Sequence, residues 1–483
     1  MRPTRWLLLA IWAASTIVFS VWNTALMDLG LGERELLYLG EKALLVFHGR
    51  PPLLENLGFV FPPLPYAFVL VLRSPLVGAA AIGGVLLCAL LVWMRHSPLD
   101  GYTRGLALLV AATPPGLWLL TQSPRMALLT GALLASFVWL RRYCATRATL
   151  HLFLFGLTSS AIFLAAYEAV VLVPFMVLPL LREPRDMREK AAILTTALTP
   201  SAFMVGGWAY LNWIFLGDPW AFLAGWKTAL AESAAYPPGL DAGLRHAALF
   251  VHTHALALAP WFLATVDVLR RRPGCWPATL ALLATPAAWV ILQGTLGTPA
   301  NATVLPLFWA CAVVSHGTPD CAACTPGTPR TLLPLSLAVA FFWTWGTSLV
   351  DDTQPLYRAL HGLPAPSTWS STQNLVATLR AEAGTVLLDD TRLFPVVYLE
   401  GRPQRFLLPY EYEFESAVRT PALFARFVLV DSLGDDRITR VHPLARIGML
   451  QGYFLRARYG HLLLYERQRS TAPLPALFSP PNR

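Results

Sequence analysis

Acidic residues are scarce in this chain, with 28 Asp and Glu in 483 residues. Five of them fall in one short stretch, Asp28, Glu33, Glu35, Glu41 and Glu55. Arg34, Lys42, His48 and Arg50 lie among them, and the stretch closes on Phe61-Pro62-Pro63-Leu64-Pro65-Tyr66. A carboxylate here that faces a cavity can take a proton from a hydroxyl or an amine, or hold a divalent metal. From Glu33 to Phe47 the apolar residues Leu36, Leu37, Leu39, Leu44 and Leu45 recur at helical spacing. They predict a partly amphipathic helix lying in the plane of a membrane interface. Glu33 and Glu35 then sit in its first turn, where the helix dipole favours negative charge. Catalytic acid and helix-end charge are both consistent with the residues at this point.

The elements that must position this stretch are membrane spans. The chain is 55% hydrophobic and 13% charged, about half the roughly 25% charge of a soluble domain. Apolar runs of about 17 to 25 residues, the length of a spanning helix, recur along it. They fall near 6–26, 75–94, 104–121, 125–141, 150–166, 168–181, 191–216, 244–266, 275–295, 299–316 and 331–350. The expected fold is a polytopic α-helical membrane protein of about eleven spans over residues 1–350. The first run is too long for a signal core and reads as a retained anchor. Pro and Gly inside spans, as at Thr113-Pro114-Pro115-Gly116 and Thr285-Pro286, imply a packed bundle around a cavity.

Arg and Lys fix the expected orientation. Arg2 and Arg5, Arg95 with Arg104, Arg141 to Arg147, Arg182 to Lys190, Arg270 to Arg272, and Arg330 fall on alternate loops. Those loops are expected in the cytoplasm. Residues 27–74, 217–243 and 351–483 are then outside. The run 61–72 is short and reads as a helix dipping into the outer leaflet, with full crossing as the alternative. The formal charge of +9 is spread in clusters between apolar runs and does not point to nucleic acid. Six scattered cysteines imply no disulfide framework, and Cys321-Ala-Ala-Cys324 is a lone pair of ligands in a loop.

Residues 351–483 have the composition of a soluble external domain. A helix over 371–383, short apolar strands at Thr385–Asp389 and Phe427–Asp431, and further strand material in 402–408 and 453–466 predict a small α/β sandwich. No GxGxxG follows its strands, so a dinucleotide cradle is not expected. Asp389, Asp390, Asp431, Asp435 and Asp436 read as turn and cap residues, with a metal site as the alternative.

The order of these features resembles the GT-C membrane glycosyltransferases, among them aminoarabinose lipid A transferases and protein O-mannosyltransferases. The shared features are an acid-bearing loop after one span, Glu35-x-x-Tyr38, a Gly49-Arg50-Pro51 turn, the Pro62-Pro63-Leu64-Pro65-Tyr66 helix start, and Gly217-Asp218-Pro219 after Tyr210-Leu211-Asn212-Trp213. The resemblance implies a bacterial inner-membrane enzyme moving a sugar from a polyprenyl-phosphate donor to a lipid, glycan or protein acceptor on the outer face. It implies a catalytic carboxylate from Glu33, Glu35 or Asp28, and leaves a divalent metal open. The donor phosphate requires a cation. Arg125, Lys227 and Arg245 are the candidates, with His246 as a proton carrier. His252 and His254 point to different sides of a helix and do not form a shared metal site. The chain departs from the family at three places. Arg34 stands where an Asp is usual, Phe61 where a Lys precedes Pro-Pro-Leu, and Gln122-Ser123-Pro124-Arg125 where a second acid is found. Glu168 is the nearest acid at another outer turn. A non-catalytic protein that binds or carries a lipid-linked sugar is the alternative function.

Overall fold

A computed structural model describes residues 5–53, 61–97, 99–181, 186–223, 239–271, 276–297, 301–316, 332–350, 358–359, 361, 363, 367–434 and 436–468. The chain forms two compact units, residues 1–43 with 58–364, and residues 44–57 with 365–483. The boundary at 43 and 44 falls inside a helix.

The first unit is helical and membrane-embedded. Among the described residues, Arg5–Asp28 (α1), Pro75–His96 (α4), Met187–Leu216 (α10) and Ala278–Thr295 are long and apolar enough to cross a bilayer. A fifth candidate is the pair Gly101–Ala111 (α5) and Pro114–Thr121 (α6), bent by 66° at Pro114-Pro115. Proline starts a helix readily but cannot extend one, because it lacks an N–H and its ring strikes the preceding turn. Ala278–Thr295 belongs to the helix Trp276–Thr295 (α13), and the other helices are Arg34–His48 (α2), Pro63–Leu72 (α3), Pro124–Thr146 (α7), Thr149–Ala165 (α8), Leu172–Leu181 (α9), Leu240–Thr253 (α11), Ala259–Arg271 (α12), Leu305–His316 (α14) and Leu332–Val350 (α15).

Three runs depart from a straight span. The run at 244–266 is split between α11 and α12, before Pro260. The break is stabilised where the Trp309 indole N–H donates to the Ala257 carbonyl at 2.7 Å. The run at 168–181 begins as a 3-10 turn, Tyr167–Val171, after the extended Ala166. The run at 61–72 is only α3, ten residues. That is about 15 Å of helix against a hydrocarbon core of about 30 Å. It turns back at Arg73, in the left-handed region at φ 53°, into α4, whose start is capped by Ser74. Val69 of α3 lies close against Gly78 of α4.

The expected helix of the first loop forms as α2, with Glu35 in its first turn. Glu35, Leu36, Leu37, Tyr38, Leu39, Glu41, Lys42 and Ala43 are all buried. Glu41 and Lys42 are covered along with its leucines. A close helix crossing frames the same region. A Cβ built on Gly83 of α4 would lie 1.7 Å from the Leu120 carbonyl oxygen of α6, so only glycine permits this approach.

The second unit is a three-layer α/β fold. Its strands are Val386–Leu387 (β1), Phe406–Leu407 (β2), Phe427–Asp431 (β3), Tyr453–Tyr459 (β4) and Leu462–Arg467 (β5). The sheet order is β2-β1-β3-β5-β4. β1 pairs in parallel with β2 and β3, and β5 pairs antiparallel with β3 and β4. Ser367–Ala381 (α16) and Asp390–Glu400 (α17) pack on one face, with Leu45 in the same core. Phe414–Arg419 (α18), Arg437–Val441 (α20) and Ala445 pack on the other, with Pro421–Phe424 (α19) between α18 and β3. The strand-end acids hold turns together. Asp389 accepts from the Thr391 N–H at 3.0 Å, Asp431 from Leu433 at 2.9 Å and Asp436 from Thr439 at 2.6 Å. Asp435 lies outside the described residues.

Candidate functional site

The acids of the first loop meet the ends of several helices of the first unit. Glu35 is on the first turn of α2, and one of its carboxylate oxygens accepts the backbone N–H of Arg125 at 2.8 Å. Arg125 is the second residue of α7, whose Ser123 makes no side-chain cap. Glu35 therefore supplies the cap from another element, with its negative charge at the positive end of the helix.

The side chain of Arg125 turns to Glu168 on the 3-10 turn, with Nη1 to Oε1 at 2.8 Å and both side chains nearly buried. The same Glu168 oxygen accepts from the Gln293 amide of α13 at 3.0 Å. One residue thus contributes a neutral donor to one carboxylate and a cation to another.

Glu33 completes the cluster. Its carboxylate accepts from the Trp118 indole N–H of α6 at 3.0 Å, and its own N–H donates to the Gln122 side-chain oxygen at 3.0 Å. The Gln122 amide donates to Asn23 of α1 at 2.8 Å, and Asn23 donates to the Leu76 carbonyl of α4 at 3.0 Å. The chain of amides ties α1, α4, α6 and the 33–35 segment into one frame. Three carboxylates and one guanidinium share the site. Burial pushes the Glu35 carboxyl up to about 7, the Arg125 guanidinium and N–H oppose the rise, and Glu33 and Glu168 add to it.

Beside it, the two quoted motifs of the first loop touch. Tyr38 and Phe61 have ring centroids 5.7 Å apart, and Phe61 and Tyr66 5.6 Å. The Tyr167 hydroxyl donates to the Phe61 carbonyl at 2.7 Å. Lys42 stands over the Tyr38 ring at 5.4 Å and 3.1 Å from Glu41, both charges being buried. Tyr167 and Glu168 are consecutive, so one turn joins the aromatic contacts to the Arg125 ion pair.

The structure brings together Glu33, Glu35 and Arg125. Asp28 ends α1 with an exposed side chain. Arg245 is exposed and paired with Asp241 one turn away on α11, at 2.6 Å. His246 packs against Gly294 and faces Phe250. Lys227 and the Cys321/Cys324 pair lie outside the described residues. Among the described residues no three His, Cys, Asp or Glu side chains converge well enough to hold a metal. Trp118, Gln122 and Gln293 are the members that charge-based reading of the sequence passes over. The available signal was a glutamine at the end of an apolar run, a position where a side-chain amide needs a partner. No protein-family model matches this chain, and no curated protein matches it.

Proposed function

We propose that the protein is a membrane glycosyltransferase of the GT-C type. It has about eleven spans, sits in a bacterial inner membrane, and carries its second unit outside the cytoplasm. It moves a sugar from a polyprenyl-phosphate donor to a cell-envelope acceptor. The observation that carries this reading is the pairing of Glu35 with Arg125. A buried carboxyl pushed up to about 7 is matched to proton transfer near neutral pH, and the residue that holds it also carries the cation.

In the proposed reaction the acceptor oxygen or nitrogen attacks the anomeric carbon and gives its proton to Glu35. The bond from that carbon to the phosphate oxygen breaks, and its electron pair leaves with the lipid phosphate. Arg125 stabilises the departing phosphate by exchanging its contact with Glu168. Glu33, held by Trp118 and Gln122, fixes the entry of α2.

A second reading is non-catalytic binding or transport of the lipid-linked sugar. It is favoured by the Arg125–Glu168 ion pair, which already neutralises the cation. Reconstitution in vesicles with a polyprenyl-phosphate sugar separates the two. Free polyprenyl phosphate and a glycosylated acceptor are expected. Donor crossing the bilayer unchanged, with no product, contradicts the proposal.

A further inference from the structure

The second unit carries an apolar surface that its own core does not use. Leu444, Ile447 and Met449 lie on the connection between α20 and β4 and are 57%, 68% and 55% exposed. They are the exposed apolar side chains of one short connection. The Met449 N–H donates to the Leu444 carbonyl at 3.1 Å. A Cβ built on Gly448 would lie 3.5 Å from Leu455 of β4, which is itself 40% exposed. On the far side of the connection, buried Ala445 receives the Tyr465 hydroxyl, so the backbone beneath the patch is anchored to the sheet.

The surroundings of the patch are cationic. Residues 436–468 hold Arg437, Arg440, Arg446, Arg456, Arg458 and Arg467 against Asp436 and Glu466, with Arg437 paired to Glu415 and Arg456 to Glu382 and Glu466. Arg440, Arg446 and Arg458 are exposed. Apolar side chains alternating with arginine on a loop match an anionic bilayer surface, the apolar tips entering the headgroup boundary and the guanidinium groups meeting phosphates. The membrane-embedded unit of the same chain keeps such a surface at high effective concentration. A second copy fits less well. β4 is the sheet edge, but its register shifts between Leu455 and Ala457 with Arg456 as the extra residue, and exposed Arg458 follows the shift. Bulges and charges of this kind block edge-to-edge pairing.

We propose that the 443–449 connection and the start of β4 dock the second unit on the surface of a bilayer rich in anionic headgroups. The test is hydrogen exchange of the 442–456 peptide in the full-length protein, in nanodiscs of phosphatidylcholine with and without phosphatidylglycerol, and in detergent. The expected result is several-fold slower exchange in the anionic discs than in either other medium. Ile447→Asp with Met449→Asp should remove that protection while the 462–467 peptide exchanges as before, showing an intact sheet. Equal exchange in all three media overturns the proposal. Protection that follows protein concentration and persists in detergent also overturns it, in favour of a second copy.

Discussion

Glu35 combines two roles at one atom pair, a helix cap for α7 and a carboxyl of raised pKa. The raised value has a consequence for stability that does not depend on any substrate. A carboxyl moved from 4.5 to about 7 in the folded state contributes its stability fully below about pH 4.5 and loses it as pH rises through about 7. The charged form is therefore disfavoured by about 3 kcal/mol relative to an ordinary glutamate. Glu35→Gln keeps an oxygen for the Arg125 N–H and removes the charge. The variant should melt at or above the wild-type temperature at pH 8 and lose the wild-type decline between about pH 4.5 and 7. Thermal unfolding across that range checks this. The Arg125–Glu168 pair gives the opposite kind of test. Removing either partner leaves a nearly buried charge, at roughly 3–5 kcal/mol. Glu168→Met alone should destabilise strongly, and Arg125→Met with Glu168→Met should recover most of the loss in a double-mutant cycle.

At the scale of elements, the site depends on where helices end. α6 and α7 meet at Thr121–Pro124, and this junction presents Trp118, Gln122 and the Arg125 N–H together. α6 is held there by its contact with Gly83. Gly83→Ala would force its Cβ against the Leu120 backbone, and backbone cannot yield as a side chain does. The variant should lower the melting temperature and weaken the Glu33 contacts, which Trp118 fluorescence in a background of altered tryptophans would report. The helical runs themselves are legible in the sequence, because about 20 apolar residues have few other fates. The breaks are less so. Pro260 marks a boundary, but the Ala257 carbonyl at the break takes its donor from Trp309, 52 residues away. The carboxylates Glu33 and Glu35 stand out in an apolar chain. Their amide and indole partners do not, because a glutamine in a span becomes informative only when its neighbour in space is known. The burial of Glu41 and Lys42 of α2 beside its leucines was equally hidden, since a leucine pattern describes one face only.

Over the whole molecule, the first unit provides an apolar helical body with a polar cluster around Glu35 and Arg125, and the second an α/β fold whose core includes Leu45 from the first loop. On the proposed reading, the Arg270–Arg272 loop faces the cytoplasm and residues 367–468 lie outside. Side-specific labelling of single cysteines, one near each, should find the first from the cytoplasm and the second from outside. The central claim concerns Glu35 as the base of a transfer reaction, and the pH dependence of the initial rate tests it most directly. With purified protein, a polyprenyl-phosphate sugar and acceptor, the wild-type rate should rise as pH passes through about 7 and then level off, following loss of the Glu35 proton. Glu35→Gln should show no measurable transfer at any pH while remaining folded. A Glu35→Gln variant that retains the wild-type rate and the same pH limb would contradict the account.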